Sequence, residues 1–405
     1  MPAGALATLA AIGGAHVIAV RRLVLVGVLA LVLVPLRAGA ATLPPALYMS
    51  PSGRDGGSCT RAAPCASFNR AYALARPGAV IEVGPGSYGA QTIEAQPGRD
   101  APRVVFRPSG RRRVIVAGEL RIRAAFLEFR DMTLADVELP REAHHVTLRN
   151  ISNHGIWMQG AANISVLGGE VTCGVCPYHP HLDDGGPPDY PPPRNILFDG
   201  VRFHDWHSAS ADQHTECLQI LAGDGITIRN SVFLNCGTAN GGRGATANLH
   251  ISWLGNGPKT RDIVLENNFF FASGNTYAIQ ANDWAGLVLR YNSIVGPILF
   301  FGGYGDGTPI ELVGNVMGFS QCKASKSGEG PVAPLRYRYN VLQGGRCHAT
   351  DRNAPAGFVD PSRDLHLRPG AAAIGRGDPR SFPPRDIDGQ RRPQARRPDA
   401  GADER

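Results

Sequence analysis

Ile263-Val264-Leu265-Glu266-Asn267-Asn268-Phe269-Phe270, Leu287-Val288-Leu289-Arg290-Tyr291-Asn292-Ser293-Ile294, Ile310-Glu311-Leu312-Val313-Gly314-Asn315-Val316-Met317 and Leu335-Arg336-Tyr337-Arg338-Tyr339-Asn340-Val341-Leu342 are four versions of one phrase. Apolar residues hold its first and third places, Asn its sixth and another apolar residue its eighth. The opening triplet has the two-residue period of a strand and is too short to be stable alone. Asn tolerates the left-handed backbone of a tight turn, and its amide can bond to an identical amide stacked above it. Four Asn residues in register therefore predict stacked, equivalent turns, with the chain turning at the Asn itself.

The phrase extends upstream. Leu127-Glu128-Phe129, Val146-Thr147-Leu148, Ile164-Ser165-Val166, Ile196-Leu197-Phe198 and Ile226-Thr227-Ile228 repeat its first triplet. The nine starts are separated by 19, 18, 32, 30, 37, 24, 23 and 25 residues. A coil of 18–25 residues with loop insertions accounts for all of them. A second strand set lies between many of these units: Gly155-Ile156-Trp157-Met158, Leu218-Gln219-Ile220, Leu249-His250-Ile251, Tyr277-Ala278-Ile279 and Ile298-Leu299-Phe300. Each coil thus has at least two strands, and nine coils at the inter-strand spacing make a column of roughly 43 Å. Cys217 and Cys236 are 19 residues apart and Cys322 and Cys347 are 25 apart, about one coil in each case, so these pairs are expected to clip neighbouring coils together.

Composition agrees. The 405 residues include 50 Gly and 32 Pro, and only 19% are charged, which excludes a coiled coil or charge-rich disorder and disfavours a helical bundle. The formal charge is +7; removing residues 1–40, with three Arg and no acid, leaves +4. Lys occurs only at 259, 323 and 326, so the basic balance is an arginine bias, and Arg103 to Arg123, the densest stretch, reads as a solvated face. Nucleic acid is not an expected partner.

Arg21-Arg22, the apolar run Leu23 to Val34, Pro35 and Ala38-Gly39-Ala40 follow the order of a secretory signal peptide cleaved after Ala40, with an uncleaved anchor as the alternative. The lead-in is long, so translation is expected to start nearer Val17 or Val20. The expectation is a secreted monomer that does not stay in the membrane, and eight cysteines in an exported chain suggest disulfides, with Cys59–Cys65 and Cys173–Cys176 as the local pairs.

From about residue 47 to 405 the chain resembles the secreted right-handed parallel β-helix proteins of the pectate-lyase type. The resemblance rests on the repeats, on the entry Tyr48-Met49-Ser50-Pro51-Ser52-Gly53, on Ala75-Arg76-Pro77-Gly78-Ala79-Val80-Ile81-Glu82-Val83-Gly84-Pro85-Gly86-Ser87-Tyr88, and on the tail segments Leu365-His366-Leu367-Arg368-Pro369-Gly370 and Asp386-Ile387-Asp388-Gly389-Gln390. It implies an all-β solenoid of nine or more coils. The expected organisation is a signal peptide over 1–40, an N-terminal cap and first coils over 41–100, the β-helix over 101–350, and an irregular segment over 351–405 packed on the coils. Residues 66–76 read as a short amphipathic helix with Phe68, Tyr72 and Leu74 apolar, which in the family caps the column's open end. The fold alone does not fix a reaction.

Long insertions point to the middle of the column. His204-Asp205-Trp206-His207 and Asp212-Gln213-His214-Thr215-Glu216-Cys217-Leu218-Gln219 form the richest stretch, with acid–base groups and a ring on which sugar can stack. Asp205, His207, His214, Glu216 and His250 are the candidate catalytic residues. Glu216 shares parity with inward Leu218 and Ile220, so it reaches solvent only if a turn intervenes. Gln219 has the opposite parity and should stand beside His250 and then Gln280 in a polar strip, with Trp206, Trp253, Asp283 and Trp284 as further substrate-binding candidates. A polar turn is the bland reading of the same stretch. The loop Cys173-Gly174-Val175-Cys176-Pro177-Tyr178-His179-Pro180-His181 has a spacing that zinc accepts, although a local disulfide is favoured. Asp183, Asp184 and Asp189 offer hard oxygen ligands for calcium, which many lyases of this type use to neutralise the substrate carboxylate.

The N-T-D and G-H-G elements of polygalacturonase-type hydrolases are missing, and the R-x-P-x-x-R pattern of pectate lyases occurs only at 391–396, beyond the coils. The resulting expectation is a protein acting on polysaccharide, with β-elimination ahead of hydrolysis. A hydrolase would need Glu216 paired with Asp205 or Asp283. The rival class is a non-catalytic glycan-binding or cell-surface structural protein using the same strip.

Overall fold

The structure is a computed structural model and describes residues 46–175, 181–183, 191–207, 215–236, 247–252, 260–272, 277–282, 285–302, 307–319, 321–326 and 331–405, excluding the side chains of 173–175, 181, 183, 301 and 302. The expected signal peptide lies outside the described residues.

The alternating triplets do become strands, and all nine fall on one parallel sheet. Its inward column runs Phe129, Leu148, Val166, Phe198, Ile228, Leu265, Leu289, Leu312 and Tyr337, each paired with the next. Three earlier strands, Leu47–Met49, Val80–Val83 and Val104–Pro108, extend this first sheet toward the N-terminus. The expectation of at least two strands per coil resolves into three parallel sheets. The second sheet follows the turn after each triplet and includes Arg202–His207, Val232–Cys236 and Phe269–Phe271. The third includes His181–Asp183, Leu218–Ile220, Ala247–Ile251, Tyr277–Ala281 and Ile298–Gly302. His144–Gln159 is one continuous strand that serves all three sheets in turn.

The inward residues form a core that no single coil could make. Phe203, Phe233 and Phe270 stack at centroid spacings of 4.7 and 4.6 Å, and all three are fully buried. Such stacks follow from repetition, because equivalent residues of adjacent coils are held one strand spacing apart. On the outer face of the first sheet, Arg107 pairs with Glu82, Arg229 with Asp199, Arg261 with Asp224 and Arg336 with Glu311, each across one rung or more. These arginines, of which Arg107 belongs to the dense 103–123 stretch, stand on a solvated face.

The asparagines form a buried ladder. Asn268 Nδ2 donates to Asn292 Oδ1, Asn292 to Asn315 and Asn315 to Asn340, each at 3.0 Å. Each Oδ1 also accepts the backbone N–H of the preceding ladder residue, and each Nδ2 also reaches a carbonyl: Ile228, Leu265, Leu289 or Leu312. Ser231 precedes the ladder by donating its N–H to Asn268, and Asp351, which only accepts, ends it. The left-handed residue, however, is one position earlier. Asn267, Tyr291 and Tyr339 have φ of 54°, 56° and 57°, and Gly314 has 64°. A Cβ at Gly314 would come within 2.9 Å of the Tyr291 ring, so only Gly fits there. The ladder position must aim its amide along the column axis, and the preceding residue supplies the bend.

Helix Phe68–Leu74 is N-capped by Ser67, which accepts from the Arg70 N–H. It covers the end of the core through Phe68, which meets Phe106 edge-on at 5.2 Å, and through Tyr72, whose hydroxyl donates to the Ala125 carbonyl. Leu74 is 38% exposed, contrary to its apolar reading, because the helix turns only Phe68, Ala71 and Tyr72 inward.

The tail lies along the column. Phe358, Leu365, Leu367, Ala371, Ala400 and Ala402 pack on the outward residues Phe269, Phe271, Val316 and Val341 of the second sheet. Arg392 and Glu404 form an ion pair with both side chains fully buried, and Arg392 also lies over the Tyr291 ring and reaches Asn267. The R-x-P-x-x-R pattern at 391–396 therefore serves packing at Arg392. Disulfides Cys59–Cys65, Cys217–Cys236 and Cys322–Cys347 are formed, the last two between neighbouring coils as their intervals predict. Cys176 and the side chain of Cys173 lie outside the described residues, and with them the expected disulfide or zinc site of this loop. No helix among the described residues is long and apolar enough to cross a membrane.

Candidate functional site

Several long breaks between strands enter or leave the third sheet: 184–193 after His181–Asp183, 208–217 before Leu218–Ile220, 237–246 before Ala247–Ile251 and 252–260 after it. The turn between the first and second sheets stays short, and in the four coils from Asn268 to Asn340 the Asn ladder demands identical geometry. The third sheet is therefore the floor on which this chain can vary side chains and surround them with loops.

Alternation and register set a row on its outer face. Arg121 pairs with Glu138, Glu138 with Trp157, Trp157 with His181, His181 with Gln219, Gln219 with His250, and His250 with Gln280. The polar strip expected from parity is thus present as a placement. Gln219 Nε2 is 3.1 Å from His250 Nδ1, and Asn282 Nδ2 is 3.4 Å from His250 Nε2. The imidazole is held between two amides, and an amide can turn either its oxygen or its NH₂ toward a ring nitrogen. The ring can therefore be oriented in its neutral and protonated forms alike, which suits a group that takes and returns a proton. Trp157, 41% exposed, is the aromatic surface in this row. Its signal was legible: Ile156 and Met158 point inward, so Trp157 must point out.

The stretch that looked like one site in the sequence is divided by a corner of the column. Asp205 and His207 lie on the second sheet, in Arg202–His207, and the structure does not bring them into the row of Gln219 and His250. Trp206 is 1% exposed and cannot stack on substrate. The cause is Asp205, whose φ of 54° interrupts the alternation begun by inward Phe203 and turns Trp206 inward as well. Glu216 is also 1% exposed, since no turn reverses its parity with Leu218 and Ile220. The hydrolase pair of Glu216 with Asp205 is not assembled. His214, Trp253, Asp283, Trp284, Asp184 and Asp189 lie outside the described residues. Asp183 ends the strand His181–Asp183 opposite Gln159, at the rim of the third-sheet face.

Burial pushes the Glu216 carboxyl up to about 8, so it is neutral at pH 7. Its folded-state pKa exceeds the unfolded value, so its ionisation costs nothing below about pH 4.5 and destabilises the fold progressively as pH rises toward 8. Glu216→Gln removes that dependence. Relative to the variant, the wild type should lose up to about 1.4 kcal/mol per pH unit across this window. Urea titrations at pH 5, 6, 7 and 8 check this; parallel curves for the two proteins would refute it.

Two other polar groupings were missed by sequence. On the second sheet, Ser152 Oγ donates to Glu170 Oε1 at 2.9 Å, His204 Nε2 lies 3.3 Å from Glu170 Oε2, and His204 Nδ1 lies 2.7 Å from Asp205 Oδ2. The Ser152 hydroxyl, with His204 behind it, holds the Glu170 carboxyl below the usual carboxylate range. Burial alone would raise Asp205, but hydrogen bonds from His204 and Asn235 outweigh it and lower the group. In the tail, ligand atoms of His366, Asp388 and Asp403 lie within 4.8 Å of one another. There His366 contacts Asp364 at 2.5 Å and Asp388 at 2.9 Å. Burial alone would lower the imidazole, yet Asp364, Asp388 and Asp403 outweigh it and raise it, which makes this group an ionic knot tying the tail together.

No family model and no curated protein sequence matches the chain. Among solved structures, it resembles pectate lyase Pel9A at a TM-score of 0.56 and 14% identity, covering 89% of this chain and 96% of that one. An alginate lyase from Paenibacillus sp. str. FPU-7 superposes at a TM-score of 0.44 and 15% identity, covering 72% of this chain and 99% of that one. Only the first likeness carries weight, and at that identity what it carries is the fold. With its three parallel sheets, internal Asn ladder and capping helix, the chain has the right-handed parallel β-helix fold that it shares with this pectate lyase.

Proposed function

We propose that this protein is a secreted polysaccharide lyase that cleaves an acidic polysaccharide by β-elimination on the outer face of the third sheet. The observation that carries the reading is the Gln219–His250–Gln280 row, with His250 held between the amides of Gln219 and Asn282. The fold shared with a pectate lyase and the three disulfides among the described residues, a bond that persists in oxidising compartments, support it.

His250 is the base. It takes the proton from C5 of a uronate unit, the C5–H electron pair forms the C4–C5 double bond, and the C4–O bond breaks with protonation of the leaving oxygen by solvent. The amides of Gln219 and Asn282 orient the base, Gln280 stands beside it to meet the substrate, and negative charge developing on the uronate carboxylate needs a positive neighbour. Calcium held by Asp183, Asp184 and Asp189 belongs to the proposal on the rim position of Asp183 and the hard oxygen chemistry of the set; it would supply that neutralisation. His214 is the second candidate base.

The test is incubation of the protein with polygalacturonate, alginate and neutral glycans, with calcium and then with chelator. Unsaturated uronate absorbance should appear on an acidic substrate and diminish with chelator. New reducing ends without absorbance would indicate hydrolysis. Tight binding without any product would indicate the non-catalytic glycan-binding module.

A further inference from the structure

The outer face of the second sheet has two characters. Toward the C-terminus, Phe269, Phe271, Val316 and Val341 are covered by the tail. Toward the N-terminus the equivalent outward positions are Thr133, Ser152, Glu170 and Arg202, each paired in register with the next. A cavity of about 580 Å³ lies over this uncovered stretch, lined also by Arg113, Asp131 and Asn150. Its size is that of a small-ligand site.

Two features make it a built pocket. The turn is locally bare, because Gly168 and Gly169 stand where other coils carry a left-handed side chain and a ladder residue. At Gly169 a Cβ would come within 2.2 Å of the Ile151 carbonyl oxygen, so no side chain can occupy the gap. The wall is also fixed. Glu170 is held from one side by Ser152 and from the other by His204, itself held by Asp205, which accepts from Asn235 at 2.5 Å. On the turn side, Asn150 Nδ2 donates to Asp131 Oδ1 at 2.7 Å.

The lining selects the ligand's chemistry. Arg113 and Arg202 offer donors to a carboxylate, while Glu170, Asp131, Asn150, Ser152 and Thr133 offer acceptors and further donors to hydroxyls. A phosphate would meet two carboxylates, and an organic cation two guanidiniums. Val114, Met132 and Ile151 give the cavity apolar patches that suit the C–H face of a ring. We infer that this pocket is a second, non-catalytic saccharide site, which binds a uronic acid unit with its carboxylate toward Arg113 and Arg202 and its hydroxyls toward Asp131 and Glu170. It lies on a different sheet from the proposed groove and stands whether or not that groove is catalytic.

The test is calorimetric titration of the protein with trigalacturonate, in a His250→Ala background so that turnover does not consume the probe. Arg113→Ala/Arg202→Ala should weaken one binding event tenfold or more, roughly the effect of losing charge-assisted bonds to one carboxylate. Thr133→Phe, which fills the cavity and keeps both guanidiniums, should do the same and guards against a folding artefact of the double variant. Gln219→Ala should leave this event unchanged. Binding that stays within twofold of the parent in both pocket variants, or inorganic phosphate that competes as well as the trisaccharide, would overturn the inference. Absence of product formation by the wild-type protein, with this binding intact, would count against the lyase reading alone.

Discussion

Asn292→Ala is expected to destabilise the protein by about 3–5 kcal/mol, the largest single effect on the fold. The side chain is fully buried and occupied at both ends. Its Oδ1 accepts the backbone N–H and the Nδ2 of Asn268, and its Nδ2 donates to the Leu265 carbonyl and to Asn315 Oδ1. Removing it orphans the Asn268 backbone N–H and strips one partner each from Asn268 Nδ2 and the Leu265 carbonyl in a buried site, while Asn315 Oδ1 keeps the backbone N–H of residue 292. Each such orphan costs about 1–3 kcal/mol before any relaxation. Asn292→Asp should also be costly. A carboxylate keeps the acceptor for Asn268 but cannot donate, and it faces Asn315 Oδ1 at close range; Asp351 is tolerated because it stands at the ladder's end. The control is Asn150→Ala, at an exposed left-handed turn, where loss of the favoured conformation should cost about 1–2 kcal/mol. Denaturant melts of the three variants decide. An Asn292→Ala cost no larger than the Asn150→Ala cost would mean that the ladder is ornamental to stability.

His250→Ala is expected to lower the rate of unsaturated-product formation by about 10²–10⁴-fold, the usual worth of a positioned base. Gln219→Ala and Asn282→Ala, which remove the two amides next to the ring, should each lower it by about tenfold and leave the fold intact, since both side chains face outward. The graded pattern separates a base from a packing residue: a structural role for His250 would lower the melting temperature and the rate together. Initial rates and melting curves on the same preparations distinguish the two. If His250→Ala retains activity within threefold while product still forms, the base lies elsewhere, with His214 next in line.

Most of the column was legible because a solenoid repeats its constraints. Leu265, Leu289 and Leu312 take the same position in successive coils, so each repetition independently supports the same strand assignment. The row of Gln219, His250 and Gln280 was legible for the same reason: alternation fixes the side of the sheet, and the coil length fixes the neighbour. The second sheet of each coil, the tail's covering of Phe269 and Phe271, and the position of the bend beside the ladder Asn were not legible. They depend on how short strands share corners, and short strands carry too few residues to declare a period.

The limits of the local reading are clearest between residues 204 and 219. By sequence, His204, Asp205, His207, Glu216 and Gln219 form one chemical cluster. In the fold a corner separates the first three from Gln219, one left-handed residue at Asp205 turns Trp206 into the core, and parity buries Glu216. The converse holds on the second sheet, where Ser152, Glu170 and Arg202, scattered over three coils, become adjacent through the strand register. The sequence by itself determined the period, and hence the fold, because burial of an alternating face is a local property repeated many times. Only the tertiary structure decided which polar groups share a site, because that depends on where each coil turns its corner and on the register that stacks one coil upon the next.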